Sequence, residues 1–311
     1  MPEVRPILDR LADLEATIDR VSRQIPPAEG RSAMRMALQS LEARREELLA
    51  ALNDVAAANF IDICDYRLLP ERESDYSINM VTQALRSFQD MVTSIYDAIT
   101  TRPKMRGSWD AASIVNSSFS FGYSYTGSLG IVLMIPNERL IGEIESNLDR
   151  SVMVALEATK TRDPGEISKF AQRYGLSAIR YLYQWSKVHA DHAVGVRIKW
   201  RRQELVRYET LEQFQDFREF CNLVERGSEP VEERIPLRAE LLAFDAVSRR
   251  FRLGIPDSPG IRGSLADEFD ATILRTIHSG YQVSLTKRTI IRYATSKEDV
   301  SWTLVALDEL K

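Results

Sequence analysis

Residues 4–25 read VRPILDRLADLEATIDRVSRQI, and their apolar members keep a seven-residue period. Val4, Leu11, Ile18 and Ile25 stand seven apart, and Ile7, Leu14 and Val21 follow the first three of them by three residues. That is the a/d spacing of a heptad repeat, which turns one stripe of a helix toward a neighbouring helix. The other faces carry Asp9, Arg10, Asp13, Glu15, Asp19, Arg20 and Arg23, the mixed-sign charge of a solvated surface. Pro26 and Pro27 stop the helix because proline lacks the N–H and clashes with the preceding turn. Gly30 loosens the backbone and Ser32 is suited to cap a second helix. In that helix Met34, Leu38, Leu41, Leu48, Leu52 and Val55 form an apolar stripe, interrupted at Arg44 and Arg45.

Residues 1–58 are therefore expected to form an antiparallel helical hairpin of coiled-coil type, each arm roughly 30 Å long. Helices this short are marginal alone in water, so something must cover the seam. No a or d position between Val4 and Ile25 is polar, and the seam (Val4, Ile7, Leu11, Leu14, Ile18, Val21, Ile25) is read as an oligomerisation element. The alternative is an arm laid on the chain's own body.

Outward from the hairpin, residues 59–225 read as a central α+β domain. Ile78, Val81, Leu85, Phe88, Val92, Ile95 and Ile99 mark an amphipathic helix over 77–99. A loop with Arg102, Lys104 and Arg106 follows, and the period then changes from 3.6 to 2. Phe119, Phe121, Tyr123 and Tyr125 alternate with small residues, and after a turn at 126–128 Leu129, Ile131, Leu133 and Ile135 continue the alternation. This is a β-hairpin. Its aromatic row is either a sheet's core face or, if exposed, a stacking platform for unpaired bases; the core is the commoner use. The glycines at 122, 127 and 130 fit neither a dinucleotide loop nor a P-loop, and GYSYTG is not a nucleophile elbow. Helices are expected over 140–159 and 165–189, and another over 211–224. Between them Val196, Ile198 and Trp200 alternate with Arg197, Lys199 and Arg201. With Arg202 this strand is a candidate anion or nucleic-acid surface, helped by Arg102, Lys104 and Arg106; the plain reading is a charged strand facing solvent. His189 and His192 share a helix face, the spacing of two metal ligands, but no third is identifiable.

Residues 226–236 read as a polar, proline-bearing linker, and 237–311 as a small β-barrel of SH3-like or OB-like kind. Strands are expected over 238–244, 250–255, 281–285, 289–294 and 301–307, with turns at 256–260 and 286–288 and a short helix over 267–277. From Glu232 to Lys311 acidic and basic residues are equal in number, against a barrel that holds nucleic acid by bulk charge.

The whole chain of 311 residues is near neutral, with 41 Lys and Arg against 45 Asp and Glu, which also argues against binding by bulk charge. Its 44% hydrophobic content is enough for a sizeable core, and two cysteines make no disulfide framework. No stretch approaches the roughly 20 apolar residues of a membrane span, and the charged start is unlike a signal peptide. The expectation is an α+β, cytoplasmic, non-enzymatic, self-associating interaction or scaffold protein. It is a subunit of a larger assembly, without cofactor or membrane contact, whose partners are itself and another protein. The alternative is a nucleic-acid-binding component of a DNA- or RNA-processing complex; a metal-dependent hydrolase using His189 and His192 is a distant third.

Overall fold

The computed structural model describes residues 3–24, 33–71, 76–125, 129–137, 145–202, 205–256, 258–270, 276–295 and 297–309. The chain divides into two compact units, Met1–Glu225 and Arg226–Lys311.

The heptad segment is helix α1 (Arg5–Gln24), followed by α2 (Ala33–Ala58). Ile25 and the helix-breaking residues 26–32 lie outside the described residues. Asn59 Nδ2 donates to Glu3 Oε2 at 3.4 Å, which sets the start of α1 beside the end of α2. Both helices cover one face of a five-stranded antiparallel sheet made of β1 (Ile61–Pro70), β2 (Ser120–Tyr125), β3 (Gly130–Pro136), β4 (Val194–Arg202) and β5 (Leu205–Glu212), in the order β2-β3-β1-β4-β5. Val4, Leu8, Leu11, Leu48 and Leu52 from the helices share a core with Ile61, Ile63, Tyr123, Val132 and Met134 from the sheet. The cover of the seam in this chain is thus α2 and a sheet face. Val4, Leu11 and Ile18 are buried, Ile7 and Leu14 are half-buried against the same core, and Val21 is half-exposed.

Side chains alternate across a strand, so Cys64, Tyr66 and Leu68 of β1 point to the opposite face. There the sheet meets α3 (Ile78–Thr100), α6 (Pro164–Asp191) and α7 (Phe214–Arg226). Tyr66 packs on Phe88 with ring centroids 4.9 Å apart, and Trp185 meets Phe217 edge-on at 5.1 Å. The helix starts are fixed locally. Ser77 Oγ accepts from the Met80 amide, Asp163 caps a helix that has Pro164 in its first turn, and Ser146 and Asp149 cap α5 (Asn147–Ala158) reciprocally. A short helix, α4 (Ala111–Asn116), precedes β2. The segment 211–224 starts as β5 and becomes helical only at Phe214, and of the 140–159 helix 140–144 lies outside the described residues.

The β2–β3 hairpin carries a bulge between Phe121 and Tyr123, which splits the aromatic row. Phe119 stacks on Phe88 on the α3 side, Tyr123 and Tyr125 lie on the α1/α2 side, and Phe121 is exposed. The turn at 126–128 is outside the described residues.

The second unit is a closed barrel of β6 (Ser228–Asp245), β7 (Arg250–Ile255), β8 (Ser258–Leu265), β9 (Gly280–Arg292) and β10 (Glu298–Glu309). Its order is β10-β8-β7-β6-β9; β10 and β8 run parallel, the other pairs antiparallel. Leu241, Phe251, Leu253, Tyr281, Val283, Leu285 and Leu304 fill it. The segment 226–236 forms most of the first half of β6. Among the described residues β9 is the one ladder partner of this strand over 228–239, and a one-sided stretch tolerates proline. Residues 258–260 open β8, 286–288 run inside β9, and 267–270 are non-helical, with 271–275 outside the described residues.

Candidate functional site

Strand β4 pairs with β1 on one side and β5 on the other, so its alternation is held in register across the sheet. Val196, Ile198 and Trp200 are buried toward α3 and α6, and Arg197, Lys199 and Arg201 come up on the face that carries α1 and α2. They line a cavity of about 330 Å³ between that face and the two helices. Its apolar wall is Ile18, Leu49 and Leu52 from the helices and Ile63, Tyr123 and Val132 from the sheet. Arg45 from α2 and Arg67 from β1 bring its cations to five, against Glu15, Glu46 and Asp65.

Most of these charges are matched locally. Arg197 Nε donates to Glu209 Oε1 at 2.8 Å, and Lys199 Nζ lies 3.4 Å from the same oxygen. The Arg197 hydrogen bond is the main reason that the Glu209 carboxyl titrates below its ordinary range. Arg67 Nη2 donates to the Tyr125 hydroxyl at 2.9 Å, and that hydroxyl donates to Asp65 Oδ1 at 2.6 Å. Burial first, then the Asp65 charge, push the Tyr125 phenol well above its ordinary range. Arg45 pairs with Glu46 at 3.1 Å. Burial raises the Glu15 carboxyl against the pull of Arg45 and Arg67. Arg201 differs: among the described residues it forms no ion pair, and its buried Nε has no hydrogen-bond partner.

The remaining basic candidates are elsewhere. Arg202 points to the opposite sheet face, where Nε donates to Asp62 Oδ1 at 3.0 Å and Nη2 bridges to Asp149. Trp200 Nε1 and Asn137 Nδ2 donate to Asp62 as well, so this arginine ties β1, β4 and α5 together inside the fold. Lys104 holds buried Asp97 at 2.7 Å, and its carbonyl accepts from the Ser177 amide on α6. Arg102 and Arg106 are exposed in that same loop. The structure therefore brings Arg197, Lys199 and Arg201 together with Arg45 and Arg67, and places Arg102, Lys104, Arg106 and Arg202 apart from them.

His189 is buried, with Nδ1 2.8 Å from the Val194 carbonyl and Nε2 2.8 Å from the Tyr66 hydroxyl; His192 is exposed. Burial lowers the His189 pKa to about 4. Cys64 and Cys221 are buried free thiols, and burial pushes Cys221 up to about 12. Among the described residues no three His, Cys, Asp or Glu side chains converge as a metal site. No helix among them is long and apolar enough to cross a membrane.

The second unit presents a different surface. Phe251, Leu253 and Leu265 point into the barrel, so Arg250, Arg252, Arg262 and Ser264 point out from β7 and β8. Arg252 stands directly opposite Arg262 in the ladder. Both are exposed, and neither is in an ion pair among the described residues. Like charges at facing positions, about 5 Å apart at Cβ, destabilise a sheet. Ala243 pairs with Arg252 on the other side, the Leu242 side chain stands over Gly254, and Val247 projects from the neighbouring turn, 96% exposed. Sequence reasoning missed Arg45 and Arg67 because they come from elements remote in the chain. It missed the arginine pair because only strand register makes Arg252 and Arg262 neighbours, although each alternates with apolar residues in the sequence. The chain matches no protein-family model, no curated protein and no solved structure.

Proposed function

We propose that this chain is a non-enzymatic nucleic-acid-binding component that grips a phosphate backbone on the outer face of its barrel. The observation that carries the reading is the facing pair Arg252–Arg262, exposed and without an ion-pair partner among the described residues. An unrelieved like-charge pair costs stability in the free protein. A phosphate lying across both guanidinium groups removes that cost and adds charge-assisted, often bidentate hydrogen bonds.

The strand order supports the same surface. The first barrel strand, β6, pairs with the second and the fourth, and the third runs parallel to the fifth. We read this as the OB kind of barrel, which takes oligonucleotides on the face of its second and third strands and on the loops beside them. Here those strands are β7 and β8, and the turn with Val247 is one of those loops. No aromatic side chain is exposed on this face among the described residues, so recognition runs through the backbone and is independent of base sequence. A self-associating scaffold has less support, because Val4, Leu11 and Ile18 are covered by this chain's own sheet and second helix.

The test is fluorescence anisotropy with a labelled single-stranded oligonucleotide of mixed sequence at low salt. The intact chain binds, and Arg252→Gln combined with Arg262→Gln abolishes or strongly weakens binding while the protein stays folded. Absence of binding by the intact chain, or unchanged binding by the double variant, overturns the proposal.

A further inference from the structure

We infer that the cavity between α1, α2 and the sheet is a separate binding site for a small phosphate monoester with an apolar or aromatic body. The inference is independent of the barrel and of its proposed ligand.

The cavity is divided by chemistry. One part is Ile18, Leu49, Leu52 and Val132 with the ring of Tyr123, and the other is the row Arg197, Lys199 and Arg201 on β4 with Arg45 and Arg67, five cations against Glu15, Glu46 and Asp65. At about 330 Å³ it lies at the small end of ligand sites, which run from roughly 300 to 1,000 Å³, the size of a small molecule. A wholly apolar molecule would leave the cationic row unsolvated, and a bare anion would leave the greasy wall without contact. A ligand with both parts satisfies both. Within the cationic row, Glu209 already engages Arg197 and Lys199, whereas Arg201 lines the cavity and forms no ion pair among the described residues. Its guanidinium charge is the one in the row left uncommitted, and a phosphate oxygen pairs with it. A second phosphate oxygen faces Lys199, two residues along the same strand face. Phosphate is favoured over carboxylate because its larger charge and third oxygen match a row of several cations rather than a single arginine.

The experiment is isothermal titration of the intact chain with phenyl phosphate, benzoate and inorganic phosphate at one ionic strength. Phenyl phosphate gives saturable binding, about tenfold or more tighter than either of the others. Arg201→Gln weakens phenyl phosphate by about tenfold or more. Because that substitution removes a group with no partner, its unfolding midpoint stays at or above the parent value. Lys199→Gln weakens binding in the same direction and serves as the second variant. The inference is overturned by no saturable binding of phenyl phosphate at millimolar concentration, by unchanged affinity in Arg201→Gln, or by benzoate binding as tightly. Loss of oligonucleotide binding in the Arg252 and Arg262 variant leaves this titration unaltered, so the two proposals fail separately.

Discussion

His189 makes stability depend on pH in a direction that its surroundings dictate. The Val194 carbonyl only accepts, so Nδ1 carries the ring proton and Nε2 is bare. The Tyr66 hydroxyl donates to Nε2 and itself accepts from Trp185 Nε1 at 3.0 Å, and the ring stacks on Phe217 at 4.7 Å. Every contact is thus written for a neutral imidazole, and both nitrogens are engaged. Burial lowers the pKa from 6.5 to about 4, with the Val194 hydrogen bond working the other way. Between pH 6.5 and 4 the unfolded chain binds a proton that the folded chain refuses, so stability falls as pH falls through that window. Above pH 6.5 neither form is protonated, and below pH 4 both are, so the contribution levels off at each end. A gap of about 2.5 units at 1.36 kcal/mol each amounts to about 3 kcal/mol. The perturbation is His189→Gln, which keeps a donor and an acceptor but does not titrate. Urea unfolding followed by tryptophan fluorescence at pH 7 and pH 4.5 is the assay; Trp109, Trp185 and Trp200 lie in the first unit, so its transition dominates the signal. The parent protein is expected to lose about 2 to 3 kcal/mol more than the variant over that interval. Parallel losses in the two proteins refute the reasoning.

Two further predictions concern the scaffold. Arg202→Ala removes the cation shared by buried Asp62 and Asp149 and is expected to cost about 3 to 5 kcal/mol, read as a lower urea midpoint; a change under about 1 kcal/mol contradicts the pinning role. Gly175 breaks the helical geometry of α6 at φ 87°, and a Cβ there would lie 2.4 Å from the Lys104 amide nitrogen. Gly175→Ala is therefore expected to lose roughly 2 kcal/mol or more in thermal or urea unfolding, and an unchanged midpoint contradicts the assigned strain.

Periodicity carried most of what could be read before the fold was known. The helix expected from the repeat appears as α1, where Leu8, outside the a/d positions, is buried beside Leu11, and the period-2 run of β4 appears because one face meets apolar side chains; in β2 a bulge breaks the run, and β3 is buried on both faces. What covers the heptad stripe was not legible, since a repeat demands apolar cover without naming it, and here the cover includes a sheet. The central strand β1 was missed because Asp62, Asp65 and Arg67 interrupt its apolar run. Asp62 is paired with Arg202, and the Tyr125 hydroxyl bridges Arg67 and Asp65; both partners are distant in sequence. The first half of β6 looked like a linker because of its prolines and its Glu232-Glu233-Arg234 run, which suit a strand paired on one side only. The site divides in the same way. Arg197, Lys199 and Arg201 were legible from alternation along one strand, whereas Arg45, Arg67 and the facing of Arg252 and Arg262 depend on contacts between elements.

The most direct measurement is the salt dependence of single-stranded oligonucleotide binding by the intact chain and by the Arg252→Gln, Arg262→Gln double variant. For single strands each phosphate contact contributes about 0.7 to the slope of log K against log salt, so losing the one phosphate held by both arginines flattens it by about 0.7. Without oligonucleotide, the variant should also unfold at the same or a slightly higher midpoint, because a like-charge pair has been removed. Equal slopes for the two proteins, or no affinity at low salt, contradict the assignment of the barrel face as a phosphate-backbone grip.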